Sequence, residues 1–92
     1  MNRVLIIDDE PGIRSSLAGA LEREGFQVDT ASSPDEARPK LREAYDFVLL
    51  DVWFPGGSGL DLLAEIAAAA PETVVIMMSG HASIETAVRA TR

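Results

Sequence analysis

Cysteine is absent from this 92-residue chain, so it can form neither a disulfide framework nor a thiolate metal site. Histidine is nearly absent: one imidazole, His81, makes no zinc site. Lysine is as scarce, with Lys40 alone, and 8 Lys plus Arg against 15 Asp plus Glu leave a formal charge of −7. That excess repels phosphate backbones and anionic lipids, which argues against direct nucleic-acid or membrane binding by this segment. No apolar run approaches membrane-spanning length, and Met1-Asn2-Arg3 leads into a strand-like run with no secretory leader signature. The expectation is a cytoplasmic protein. Repeats, low-complexity tracts and linkers are also missing, so residues 1–92 read as one domain.

What is present is globular: 47% of residues are hydrophobic and 25% charged. Val4–Ile7 is a short, continuous apolar run, suited to a strand covered on both faces. Pro11-Gly12 opens a helix with Ile13, Leu17, Ala20 and Leu21 on one stripe, stopped by Gly25. Phe26, Val28 and Thr30 alternate with polar residues, as in an edge strand. Ser33, Pro34 and Glu36 predict a helix start closed by a capping box, with Ala37, Leu41 and Ala44 facing inward. Pro39 conflicts with a long helix there, so a kinked or shortened one is expected.

Asp46–Asp51 repeats the opening design, an apolar run ending in a carboxylate, and Pro55–Gly59 follows as a loop. A third helix is predicted with Leu60, Leu63, Ile66, Ala67 and Ala70 buried, then a fourth strand at Val74–Met78. From Ser83, Ile84, Ala87, Val88 and Thr91 are spaced as a fourth helix. Strands alternating with helices imply an α/β fold, a parallel sheet with helices on both faces.

In such sheets the functional crevice lies beyond the carboxyl ends of the strands, and Asp8, Asp9, Asp51 and Ser79 all fall there. Crowded carboxylates cost stability unless a cation neutralises them. Oxygen-only ligation with room for water and phosphate suits Mg²⁺, with Mn²⁺ as a permitted substitute. A metal beside Asp51 with the Ser79 hydroxyl opposite suits phosphoryl transfer onto that carboxylate.

Asp8–Arg14 (DDEPGIR), the stretch DVWFPGGSGLDLL from Asp51 and SGHASIETAV from Ser79 resemble the receiver domains of two-component response regulators. The match runs from Met1 to Arg92 and is most similar to receivers of σ54-dependent activators of the nitrogen-regulation group. The resemblance implies a flavodoxin-like doubly wound sheet of order 2-1-3-4. It also implies Asp51 as phosphoacceptor from a sensor histidine kinase, and Ser79 as the switch hydroxyl that reports to the fourth helix. Asp9 would ligate Mg²⁺ directly, Asp8 weakly or through water, and the Trp53 backbone carbonyl would complete the set. A C-terminal output module, ATPase and DNA-binding, would follow in the parent protein. The Trp53 side chain and His81 would influence how long the phosphate survives.

One departure stands out. Receivers carry a lysine at the end of a fifth strand, followed by a fifth helix, and Lys40 lies in the second helix instead. The expectation is a receiver lacking that strand and helix, with Val74–Met78 as an uncovered edge that promotes self-association.

Plainer readings exist for each feature. Asp8–Glu10 alone is a solvated turn at a helix start, His81 an exposed loop residue, Trp53 and Phe54 core packing or a partner patch, and the glycine run mere turn chemistry. The joint spacing favours the phosphoacceptor. The alternative is a dimerisation or interaction module without efficient phosphorylation. A metal-dependent phosphatase is disfavoured because Trp53 stands where that chemistry places a second Asp.

Overall fold

The computed structural model describes residues 2–51, 53–54 and 57–78, of which 53, 54, 57 and 58 by backbone alone. Ser79, His81 and the helix expected from Ser83 lie outside the described residues. Four strands, β1 (Arg3–Ile7), β2 (Gln27–Ala31), β3 (Phe47–Asp51) and β6 (Val74–Met78), form one parallel sheet in the order β2-β1-β3-β6. Counted among themselves, these strands run 2-1-3-4 as expected, with β2 at an edge. Three helices connect them: α1 (Pro11–Arg23), α2 (Pro34–Lys40) and α3 (Gly59–Ala69). The expected loop between β3 and α3 contains a short antiparallel hairpin, β4 (Trp53–Phe54) and β5 (Gly57–Ser58).

Alternation along each strand sends side chains to opposite faces. On one face Leu5, Ile7, Ala31, Val48, Leu50, Val75 and Met77 form a core closed by Ala37 of α2 and by Leu62 and Ile66 of α3. On the other, Val4 and Ile6 are buried beneath α1, which packs on β1 and β2. Phe26 meets Phe47 edge-to-face there, centroids 6.0 Å apart. Phe47, Leu49 and Ile76 on this face are only half-buried, and Val74 at the start of β6 is 45% exposed.

The helix ends follow their local chemistry. Gly25 takes φ 94°, and the Gly25 and Phe26 amides bond the carbonyls of Glu22 and Leu21 at 3.0 and 3.1 Å, a Schellman close to α1. In α2, Ser33 Oγ accepts from the Glu36 amide at 3.2 Å, as expected of the cap. The Glu36 carboxylate reaches back to Ser32 rather than Ser33, so the box closes one residue early. Those Ser32 bonds hold the Glu36 carboxyl below its ordinary range, the side-chain bond contributing most. Pro39 is tolerated within α2, yet the helix ends at Lys40 and continues only as tight turns, Arg42 to Pro39 and Glu43 to Lys40. The shortening matches expectation.

Three burial expectations need correction. Ala44 lies beyond the end of α2 and is exposed, and Tyr45, one residue on, fills the core instead. In α1 Ile13, Leu17 and Leu21 are half-buried, but Ala20 is exposed. In α3 the inward face is Gly59, Leu62 and Ile66, with Leu63 and Ala70 half-buried, Leu60 56% exposed and Ala67 exposed. That helix is apolar nearly all round, so periodicity alone did not determine its rotation.

Candidate metal centre and phosphoacceptor

Register places the acids. β1 and β3 pair with Ile7 opposite Leu50, so Asp8, just past the end of β1, and Asp51, the last residue of β3, lie side by side. The Asp8 amide extends the ladder by donating to the Ala31 carbonyl of β2 at 3.1 Å. Asp8, Asp9 and Asp51 then each offer a carboxylate oxygen, all within 4.8 Å of one another. Asp8 and Asp51 are buried, at 4% and 7% exposure, while Asp9 is open to solvent. The sequence-predicted acids therefore do converge, drawn from two separate segments of the chain.

Like charges this close, two of them withdrawn from water, repel unless a cation lies between them. The donor set, carboxylate oxygens with one side open, fits a hard divalent ion that keeps water or phosphate ligands. Asp8 is pre-oriented for this: its Oδ1 accepts the Glu10 amide at 2.9 Å, an Asx turn that links strand end to helix start. Trp53 begins β4 two residues after Asp51, so its backbone is close in sequence to the cluster. Ser79 follows Met78, which pairs with Asp51 across β3 and β6, and is itself outside the described residues.

Lys40 is engaged on β2, the edge strand beside β1. Its Nζ donates to the Thr30 carbonyl and lies 3.6 Å from Glu36, fastening α2 to β2. One basic residue that sequence reasoning passed over, Arg14, donates from Nη1 to the Asp8 carbonyl at 2.7 Å. The available signal was a lone cation one turn into the helix that follows an acid run.

Residues 4–92 match the model of the response regulator receiver domain family. The chain belongs to that family. Its relatives include the nitrogen assimilation regulatory protein NtrX of Azorhizobium caulinodans, 43% identical over 90 residues that make up 95% of this chain and 20% of the relative. The receiver thus spans about a fifth of the curated relatives it matches. Among solved structures, the beryllofluoride-activated NtrC4 receiver domain dimer aligns with TM-score 0.83 at 44% identity, over 98% of this chain and 75% of that one. TrrA of Thermotoga maritima, in complex with Mg²⁺-BeF, aligns with TM-score 0.81 at 35% identity over 99% and 82%. TrrA is also solved in complex with the histidine kinase ThkA. In this receiver, as in the sheet described above, the strand order 2-1-3-4 and flanking helices are those of its fold neighbours.

Proposed function

We propose that this receiver is a Mg²⁺-dependent phosphoacceptor, with Asp51 taking a phosphoryl group from a sensor histidine kinase. The observation that carries the reading is the convergence of Asp8, Asp9 and Asp51 within 4.8 Å at the carboxyl ends of adjacent strands. An Asp51 carboxylate oxygen attacks phosphorus as the phosphorus–nitrogen bond of the kinase phosphohistidine breaks, its electron pair remaining on the imidazole. Asp9 and Asp8, with Asp51 and the Trp53 carbonyl, would hold Mg²⁺, and Mn²⁺ would serve in its place. When bound, the ion supplies charge neutralisation on the phosphoryl oxygens. Ser79 would bond the transferred group and pass the change to the helix after it.

TrrA, solved both with Mg²⁺-BeF and with a histidine kinase, supports the ion and partner assignments. NtrX, the response regulator protein PilR and the alginate biosynthesis transcriptional regulatory protein AlgB, of each of which the receiver is a fifth, support a transcriptional output module in the same protein. Residues 1–92 are read as one receiver domain acting in the cytoplasm; among the described residues no helix is long and apolar enough to cross a membrane. The NtrC4 receiver dimer, together with β6 as an outer strand among the described residues, supports homo-oligomerisation.

The test is incubation with acetyl phosphate and Mg²⁺ followed by intact-mass measurement. The expected result is addition of one phosphoryl group to the wild type and none to Asp51→Asn. A second reading, an interaction module that folds and associates without efficient phosphorylation, is favoured by one observation: the single lysine is engaged with Thr30 and Glu36. Association without any mass gain would select it.

A further inference from the structure

Asp8 is held at both of its backbone polar atoms and at one carboxylate oxygen. Its amide donates to Ala31 of β2 at 3.1 Å, its Oδ1 accepts from the Glu10 amide at 2.9 Å, and its carbonyl accepts from Arg14 Nη1 at 2.7 Å. The first continues the sheet ladder onto β2, and the second closes the turn between β1 and α1. The third comes from a charged side chain six residues on, in the opening turn of α1. That helix begins at Pro11 with Glu10 as N-cap and no side-chain capping bond, so the usual lock on a helix start is missing here. The Arg14 guanidinium is in its place, tying the first turn of α1 back to the residue at the end of β1. Asp9 and Glu10 occupy the span between these two anchors.

We propose that Arg14 is a positioning residue of the cation centre. By clamping the Asp8 carbonyl it fixes the β1–α1 turn so that the Asp8 and Asp9 carboxylates face Asp51. The assignment rests on the phosphoacceptor reading above. It competes with a purely electrostatic role, in which a fixed positive charge beside three carboxylates merely opposes a divalent ion. The two roles differ in sign. If Arg14 acts only as a repelling charge, its removal tightens Mg²⁺ binding. If it orients the ligands, its removal weakens binding, by about tenfold or more on the usual scale for groups that orient metal ligands.

The experiment is a calorimetric Mg²⁺ titration of the whole chain at neutral pH, comparing wild type, Arg14→Met, Arg14→Lys and Arg23→Ala. Arg14→Met keeps the aliphatic stem on α1 and removes the donor. Thermal melts in the absence of Mg²⁺ accompany each titration, so that a change of affinity is separated from a change of stability. The expected result is a dissociation constant raised about tenfold in Arg14→Met and largely restored in Arg14→Lys, whose ammonium keeps a donor for the carbonyl. Arg23→Ala, exposed in the last turn of the same helix, should match the wild type. Equal or tighter binding by Arg14→Met overturns the assignment alone. A wild type that does not bind Mg²⁺ overturns the phosphoacceptor reading and this assignment with it. Should Arg14→Met fail to fold, Arg14→Gln carries the same comparison, with weaker binding than Arg14→Lys expected and equal binding contrary.

Discussion

Tyr45 and Arg3 tie together the end of the sheet opposite the acid cluster. The Arg3 guanidinium bonds Asp29 at 3.0 Å and Glu43 at 3.3 Å and lies 4.8 Å from the centre of the Tyr45 ring, while the Tyr45 hydroxyl donates to Asp29 at 2.7 Å. Burial, and secondarily the bond to Asp29, raise the Tyr45 phenol above its ordinary value of 10.0. The folded chain therefore keeps a proton that the unfolded chain releases near that value. The stabilisation is complete below pH 10.0 and is lost as the pH rises beyond it. Tyr45→Phe should cost about 1 kcal/mol at neutral pH through the lost hydrogen bond. It should also flatten the alkaline decline, as read by urea unfolding at neutral and alkaline pH. Tyr45 escaped sequence reading because the α2 stripe was extended to Ala44; once α2 stops early, the following turns deliver Tyr45 to the core.

At the scale of elements, ends were more legible than faces. The stop of α1 depends on a left-handed residue, and an added Cβ at Gly25 would meet no atom within 4 Å, so the cost of Gly25→Ala is backbone strain without a clash. That substitution should lower stability by about 1–2 kcal/mol, measured by thermal or urea unfolding, with the Mg²⁺ affinity unchanged because Gly25 is remote in the chain from the acids. Caps and breakers act within a few residues, which is why Gly25, Ser33 and Pro39 could be read directly. The rotation of α3 could not, since Leu60, Leu62, Leu63 and Ile66 leave several faces apolar and only the sheet beneath chooses among them.

On the scale of the whole molecule, the described residues cover the two sides of the sheet unequally. The α2–α3 side buries a continuous core, whereas the α1 side leaves Phe47, Leu49 and Ile76 half-buried and Val74 exposed along the β3–β6 half. Among the described residues β6 is the outer strand, and an outer strand with an exposed apolar side chain is prone to pair with another chain. Sedimentation velocity should show concentration-dependent association of the wild type. Val74→Lys, which places a charge at that edge, should shift the population toward monomer; an unchanged distribution would locate the contact elsewhere.

The sequence by itself determined the alternation of strands and helices, the chemistry of their ends and the presence of acids after two apolar runs, because each of these depends on neighbours a few residues away. The tertiary structure alone decided that Ile7 sits opposite Leu50, so that Asp8, Asp9 and Asp51 share one site. It also decided that α3 turns Leu62 inward rather than Leu60, and that Arg14 reaches the Asp8 carbonyl. Register, helix rotation and the reach of a long side chain are settled by surfaces that meet only after the chain has folded, and no local pattern carries that information.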